Sequence, residues 1–173
     1  MKALLNERIE VGWELCVLLA FSIFLIPINW LFSWMIAVCI HELCHYVALR
    51  VCGARIYRIK FGLLGAKMDT EALNFFQEIL GAAAGPLGSF LLASFVNKYP
   101  FLVLCAFIQG VFNLMPIYPM DGGRIVRCLF ALIFGSTKGE RLALYFAFAF
   151  SAVLLALALY IGLKLNFGIL PII

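Results

Sequence analysis

His41-Glu42-Leu43-Cys44-His45 holds the only two histidines of this 173-residue chain, and it lies inside the apolar run 31–51. On an α-helix, residues four apart share one face, so both imidazoles can reach one metal ion while Glu42 stands beside them. Zinc suits that donor set, with Glu42 placed as a general base. A chance match to His-Glu-x-x-His in a chain of this length has a probability on the order of one in a few hundred, from average residue frequencies. Ionisable groups in a hydrocarbon region are costly unless paired or coordinated. The segment is therefore a site candidate rather than packing.

The surroundings are equally informative. Hydrophobic residues make up 65% of the chain and its mean hydropathy is +1.08, whereas ordinary soluble domains are roughly one half apolar. Apolar runs at 11–30, 31–51, 79–96, 101–115 and 142–163 approach the ~20 residues that cross a bilayer as a helix. The expected fold is an all-α polytopic membrane protein of five or six transmembrane helices, the stretch 124–134 deciding the count. Glu7, Glu10 and Glu14 flank or enter the first run, so it reads as a retained helix rather than a cleaved leader. Six scattered cysteines show no disulfide or zinc-finger spacing and read as reduced packing residues.

A net charge of +4 without a basic run argues against a nucleic-acid partner. Charge reports topology instead. Lys2 and Arg8 precede the first run, and Arg50, Arg55, Arg58, Lys60 and Lys67 follow the second, while the turn Pro27-Ile28-Asn29-Trp30 carries none. The positive-inside rule puts the amino terminus and the segment after residue 51 in the cytosol.

That segment, Gly53-Ala54-Arg55-Ile56-Tyr57-Arg58-Ile59-Lys60-Phe61-Gly62 and then Leu63-Leu64-Gly65-Ala66-Lys67-Met68, reads as a β-hairpin-like pair of short strands, cytosolic or membrane-embedded. The third run is expected to start near Glu71. It carries Gly81, Gly85 and Ser89 at four-residue spacing, a face that lets helix backbones approach closely, with Pro86 expected to bend or loosen the helix. Between Asn113 and Gly123, Pro116, Pro119, Gly122 and Gly123 make a continuous helix improbable. Such an opened segment is tolerated at membrane depth only where protein or a water-filled cavity surrounds it.

A catalytic zinc takes three protein ligands. Of nine acidic residues, Glu14, Glu42 and Asp121 lie well within apolar surroundings. Glu14 sits one turn into the first run, where interfacial exposure accounts for it, so Asp121 is the expected third ligand. Cys44 is chemically able to bind zinc, but its place between the histidines makes joint ligation awkward.

His41-Glu42-Leu43-Cys44-His45 together with Asn113-x-x-Pro116-x-x-x-x-Asp121-Gly122 resembles the site-2 protease family of intramembrane zinc metalloproteases. The resemblance implies Zn2+ held by His41, His45 and Asp121, Glu42 as catalytic base, and Asn113 as a polar group that orients substrate or oxyanion. It also implies a three-helix catalytic core opening to the cytosol, in a bacterial cell membrane, and a membrane-tethered protein substrate such as a transcription factor or a remnant signal peptide. Ala84-Gly85-Pro86 matches a further family element, but Ser89 stands where relatives often carry asparagine, which puts substrate contacts there in question. The layout is similar to the short sporulation-type members, as a single domain over 1–173 without a PDZ or nucleotide-sensing domain. The edge of the strand pair at 56–61 is expected to hold an unwound substrate extended. Two rival readings stay open at this point, a membrane metal carrier or channel and a catalytically silent relative that binds helices.

Overall fold

Proline fixes φ, lacks an amide hydrogen and disfavours helical backbone in the residue before it, and Pro27 accordingly divides the first long apolar stretch. In the computed structural model, which describes residues 8–62, 65–95 and 97–164, helix α1 (Trp13–Leu25) ends two residues before Pro27 and α2 (Ile28–Val51) begins directly after it. Ile28, Asn29 and Trp30 thus belong to the second helix, not the first. The other elements are strands β1 (Arg8–Val11), β2 (Ile56–Gly62) and β3 (Gly65–Thr70) and helices α3 (Phe75–Leu91), α4 (Pro100–Asn113), α5 (Asp121–Phe134) and α6 (Ser136–Lys164). A 3-10 turn, Leu92–Phe95, prolongs α3.

The expected strand pair is present, with Leu63 and Leu64 outside the described residues, and it has a third partner. The sheet order is β1-β2-β3, with β1 parallel and β3 antiparallel to the central β2. Arg8-Ile9-Glu10-Val11 alternates with the period of a strand, but four residues among charges are a faint signal without the partner that Ile9 finds in Ile59. This arrangement overturns the reading of 56–61 as a free edge. From Arg58 to Phe61 both sides of β2 are already paired, and the full open edges belong to β1 and β3.

The helices differ in length. Two helices are long and apolar enough to cross a membrane by length and composition, α2 with 24 residues and α6 with 29. With 13 and 14 residues, α1 and α4 reach only about 20 Å at 1.5 Å per residue, short of a ~30 Å hydrocarbon core. Pro27 divides the run 11–30, while Pro100 opens α4 and the turns after Asn113 end it. α5 has 14 residues and carries Asp121, Arg124 and Arg127, a composition unlike a span. The outer surface is nonetheless apolar. Phe24 on α1 is 88% exposed, Leu163 on α6 is 80% exposed, and of α6 only Gly139 and Ala143 are buried. Water makes such a surface costly, whereas acyl chains do not.

Packing runs α4 to α2 to α3 to α5 to α6. Ala37 of α2 meets Cys105 and Ala106 of α4 under Trp30, Leu92 and Leu102, and Leu49 at the end of α2 packs with Ala54 and Ile56 against Tyr46, Ile59, Met68 and Leu73. α3 starts at Phe75, four residues later than expected, because Asn74 caps it. Asn74 Oδ1 accepts from the Gln77 amide at 2.8 Å and Gln77 Oε1 accepts from the Asn74 amide at 3.1 Å, a reciprocal capping box. The Gln77 side chain also donates to the Cys52 carbonyl at 2.9 Å and ties the start of α3 to the end of α2. α3 continues helically through Pro86, which is fully buried.

The α5–α6 contact depends on a missing side chain. A Cβ at Gly139 would lie 2.4 Å from the Ala131 amide nitrogen. Gly139→Leu should therefore push α6 from α5 and cost about 1–3 kcal/mol of stability, measured as a lowered thermal midpoint in detergent.

Candidate metal centre

Two helices bring three acceptor groups to one point. His41 and His45 lie one turn apart on the same face of α2, and both are buried, as is Asp121 in the first turn of α5. Asp121 Oδ2 is 3.2 Å from His41 Nε2 and 3.2 Å from His45 Nε2, and the two Nε2 atoms are 3.1 Å apart. Zinc bonds of about 2.0–2.1 Å place neighbouring tetrahedral ligands roughly 3.4 Å from each other. The observed triangle matches that spacing closely, and one atom from each residue can hold a single metal ion.

The outer imidazole nitrogens are held by α3. His45 Nδ1–H donates to the Gly81 carbonyl at 2.6 Å, which leaves Nε2 as a lone pair facing the triad. His41 Nδ1 meets Ser89 Oγ at 2.9 Å, and the hydroxyl accepts when Nδ1 carries the proton. Such partners orient metal-binding histidines and fix their tautomer. Gly85 completes the cradle. A Cβ there would stand 2.2 Å from His45 Nε2 and 2.7 Å from His41 Nε2, so only a bare backbone leaves both nitrogens their place. The donor set, its spacing and this cleared space all fit a metal ion.

The way Asp121 arrives follows from local sequence. Residues 114–120 form turns held by the bonds of Ile117 N–H to Met115 O, 2.8 Å, and Met120 N–H to Ile117 O, 2.9 Å. The opened segment expected between Asn113 and Gly123 is thus present, and it ends where α5 starts. A Cβ on Gly122 would sit 2.0 Å from the Leu114 carbonyl oxygen, and one on Gly123 2.5 Å from the Ile117 carbonyl carbon. The two glycines let the turn fold against the helix start and so set Asp121 into the triad.

Glu42 lies half-buried beside the histidines and accepts from the Ala66 amide of β3 at 3.0 Å through Oε1. Its other oxygen accepts no hydrogen bond among the described residues. Gly65, with φ +107°, allows this contact, since a Cβ would stand 2.6 Å from Oε1. Cys44 turns away from the triad toward α3, where a Cβ on Gly88 would be 2.2 Å from its sulfur. Glu14 lies against its own helix start at Gly12. Asn113 is the last residue of α4, and among the described residues it makes no side-chain hydrogen bond to the triad. Ser89, Gly81 and Gly85 were legible as a small-residue packing face; that the same face holds both imidazoles is visible only once α2 and α3 are docked.

Residues 84–157 match the family model described as peptidase family M50. A zinc metalloprotease of Methanocaldococcus jannaschii is 30% identical over 122 residues, which cover 62% of this chain and 36% of that relative. The chain thus spans little more than a third of its length. The solved site-2 protease of Methanocaldococcus jannaschii is similar with a TM-score of 0.65 at 26% identity, over 95% of this chain and 84% of that one. The chain is thus similar to M50 peptidases, to a zinc metalloprotease and to a site-2 protease. The family model begins after the His-Glu-x-x-His segment and includes Asp121, so the likeness to M50 peptidases covers the Asp121 side of the candidate centre.

Gly85→Ala should disrupt this centre without removing a ligand. Zinc affinity, read by chelator competition, is expected to fall at least about tenfold, as for altered outer-shell partners.

Proposed function

We propose that this chain is an intramembrane zinc metalloendopeptidase that cuts a peptide bond within or near the transmembrane helix of a membrane-tethered protein. The observation that carries it is the buried triangle of His41, His45 and Asp121 with the carboxylate of Glu42 beside it. The site-2 protease likeness supports it. The carrier reading needs no general base there.

His41 and His45 would hold zinc through Nε2 and Asp121 through a carboxylate oxygen. Zinc bound there supplies a Lewis acid that acidifies water and polarises a peptide carbonyl. Glu42, held at one oxygen by Ala66, takes a proton from the attacking water with the other and returns it to the leaving amine. Asn113, which closes α4 just before the turns leading to Asp121, would offer its amide to the oxyanion. The basic residues Arg50, Arg55, Arg58, Lys60 and Lys67 support a site mouth and sheet on the cytosolic side.

A helical substrate hides its peptide groups, so it must be unwound before attack. The open edge of β3 is the place for it, in place of the buried edges of β2. Successive amides of a strand point to opposite sides. The Ala66 amide points away from β2 to Glu42, so that of Met68 faces the same open edge. A strand added there would run directly past the base.

Two outcomes test this reading. Purified wild type and Glu42→Gln should each hold about one zinc, the variant losing at least ~100-fold in cleavage of a membrane-tethered substrate, whereas His45→Ala and Asp121→Ala should lose both metal and cleavage. Full zinc content in Asp121→Ala would overturn the ligand set. Met68→Pro should depress cleavage with zinc retained, while Met68→Leu, which keeps the amide and the packing, should cleave normally; equal cleavage by both removes the β3 edge from the mechanism.

A further inference from the structure

The triad joins α2 to α5, yet these two helices pack mainly through α3, which lies between them. α3 holds α2 by the bonds from Gly81 and Ser89 to the imidazoles. Its packing against α5 carries an ion-pair cluster. Glu78, one turn before Gly81, has a side chain only 16% exposed and sits between two guanidiniums of α5, with Arg127 donating to its Oε1 and Arg124 Nε 3.8 Å from the same oxygen. Arg124 and Arg127 follow Asp121 by one and two turns of the same helix. A single partly buried carboxylate thus faces two cations that ride with the third acceptor.

We propose that Glu78 is a positioning residue for the metal site: clasped by Arg124 and Arg127, it fixes the helix of Asp121 against the helix that holds both imidazoles. The proposal rests on the reading of His41, His45 and Asp121 as ligands. A carboxylate is required because two guanidiniums left facing each other at a partly desolvated contact would repel and rotate α5 away. Rotation at Arg124 is transmitted to Asp121 within one helical turn, where displacements well under 1 Å break a triangle whose sides are 3.1–3.2 Å.

The test is zinc affinity, by chelator competition on full-length protein in detergent, with the thermal midpoint of the metal-free protein measured alongside. Glu78→Gln, which keeps the shape and removes the charge, should weaken zinc binding by about 10–100-fold, the range of other outer-shell changes, and Glu78→Asp should lie nearer wild type. In the Asp121→Ala background, Glu78→Gln should cause no further loss, because it acts through Asp121. A Glu78→Gln protein that is less heat-stable but binds zinc within about twofold of wild type, while Asp121→Ala does not, overturns the proposal and leaves the ligand set intact. Should Asp121→Ala itself bind as wild type does, the ligand reading fails and the proposal falls with it. If Glu78→Gln cannot be purified folded, Arg124→Gln takes its place, with a smaller loss of affinity expected and an unchanged affinity overturning the proposal.

Discussion

The close approach of α3 to the imidazole face of α2 is the constraint on which the rest of this site depends. Gly81, Gly85 and Gly88 present no side chain where Leu49, the two histidines and Cys44 stand, so backbone rather than side chain walls the centre. Small residues usually serve this close contact in lipid for packing alone. Here the contact also exposes a carbonyl, Gly81 O, to His45 and places a hydroxyl, Ser89 Oγ, at His41. A larger residue at any of these positions would separate the helices and strand the outer nitrogens, which are costly to bury unpaired.

Held this way, the inner nitrogens have one remaining use. Two lone pairs and a carboxylate oxygen within 3.2 Å of one another repel unless a cation lies among them, and a proton can satisfy only one pair at a time. A divalent ion satisfies all three at once. The same burial that sets these three acceptor groups against one another would strengthen their hold on a metal, because water competes poorly for it. The electrostatic logic of the site and its position in an apolar protein are one argument.

Much of this was legible in the sequence, and the division is physical. His41, Glu42 and His45 are readable because four residues on a helix is a local distance. Asp121 was reachable by elimination, since few acidic residues lie in apolar surroundings and Pro116, Pro119, Gly122 and Gly123 announced a broken helix. The partners that complete the site are tertiary. Nothing local distinguishes Ser89 from a packing serine, and the hold of Glu78 on Arg124 and Arg127 spans 46 and 49 positions of sequence. β1 was missed for the same reason, its pairing with residues 58–61 being nonlocal. The division of the first run has another origin: hydropathy measures composition, and it does not register that Pro27 separates the helix 13–25 from the helix 28–51.

The sheet and the metal centre meet at a single hydrogen bond. Ala66 is the second residue of β3, paired across to Phe61, and its amide holds Glu42. A strand with one side bonded to β2 has its other side open, and this is the side that faces the base. Any extended peptide added to β3 would share that edge with Glu42, so in the proposed mechanism one stretch of backbone both keeps a substrate unwound and orients the base. This coupling explains why a glycine with positive φ sits at residue 65 rather than a bulkier turn residue: the strand must begin close enough to α2 for its first outward amide to reach the carboxylate. A sheet docked one residue further along would still pair, but it would present a side chain to Glu42 and leave the base without its anchor.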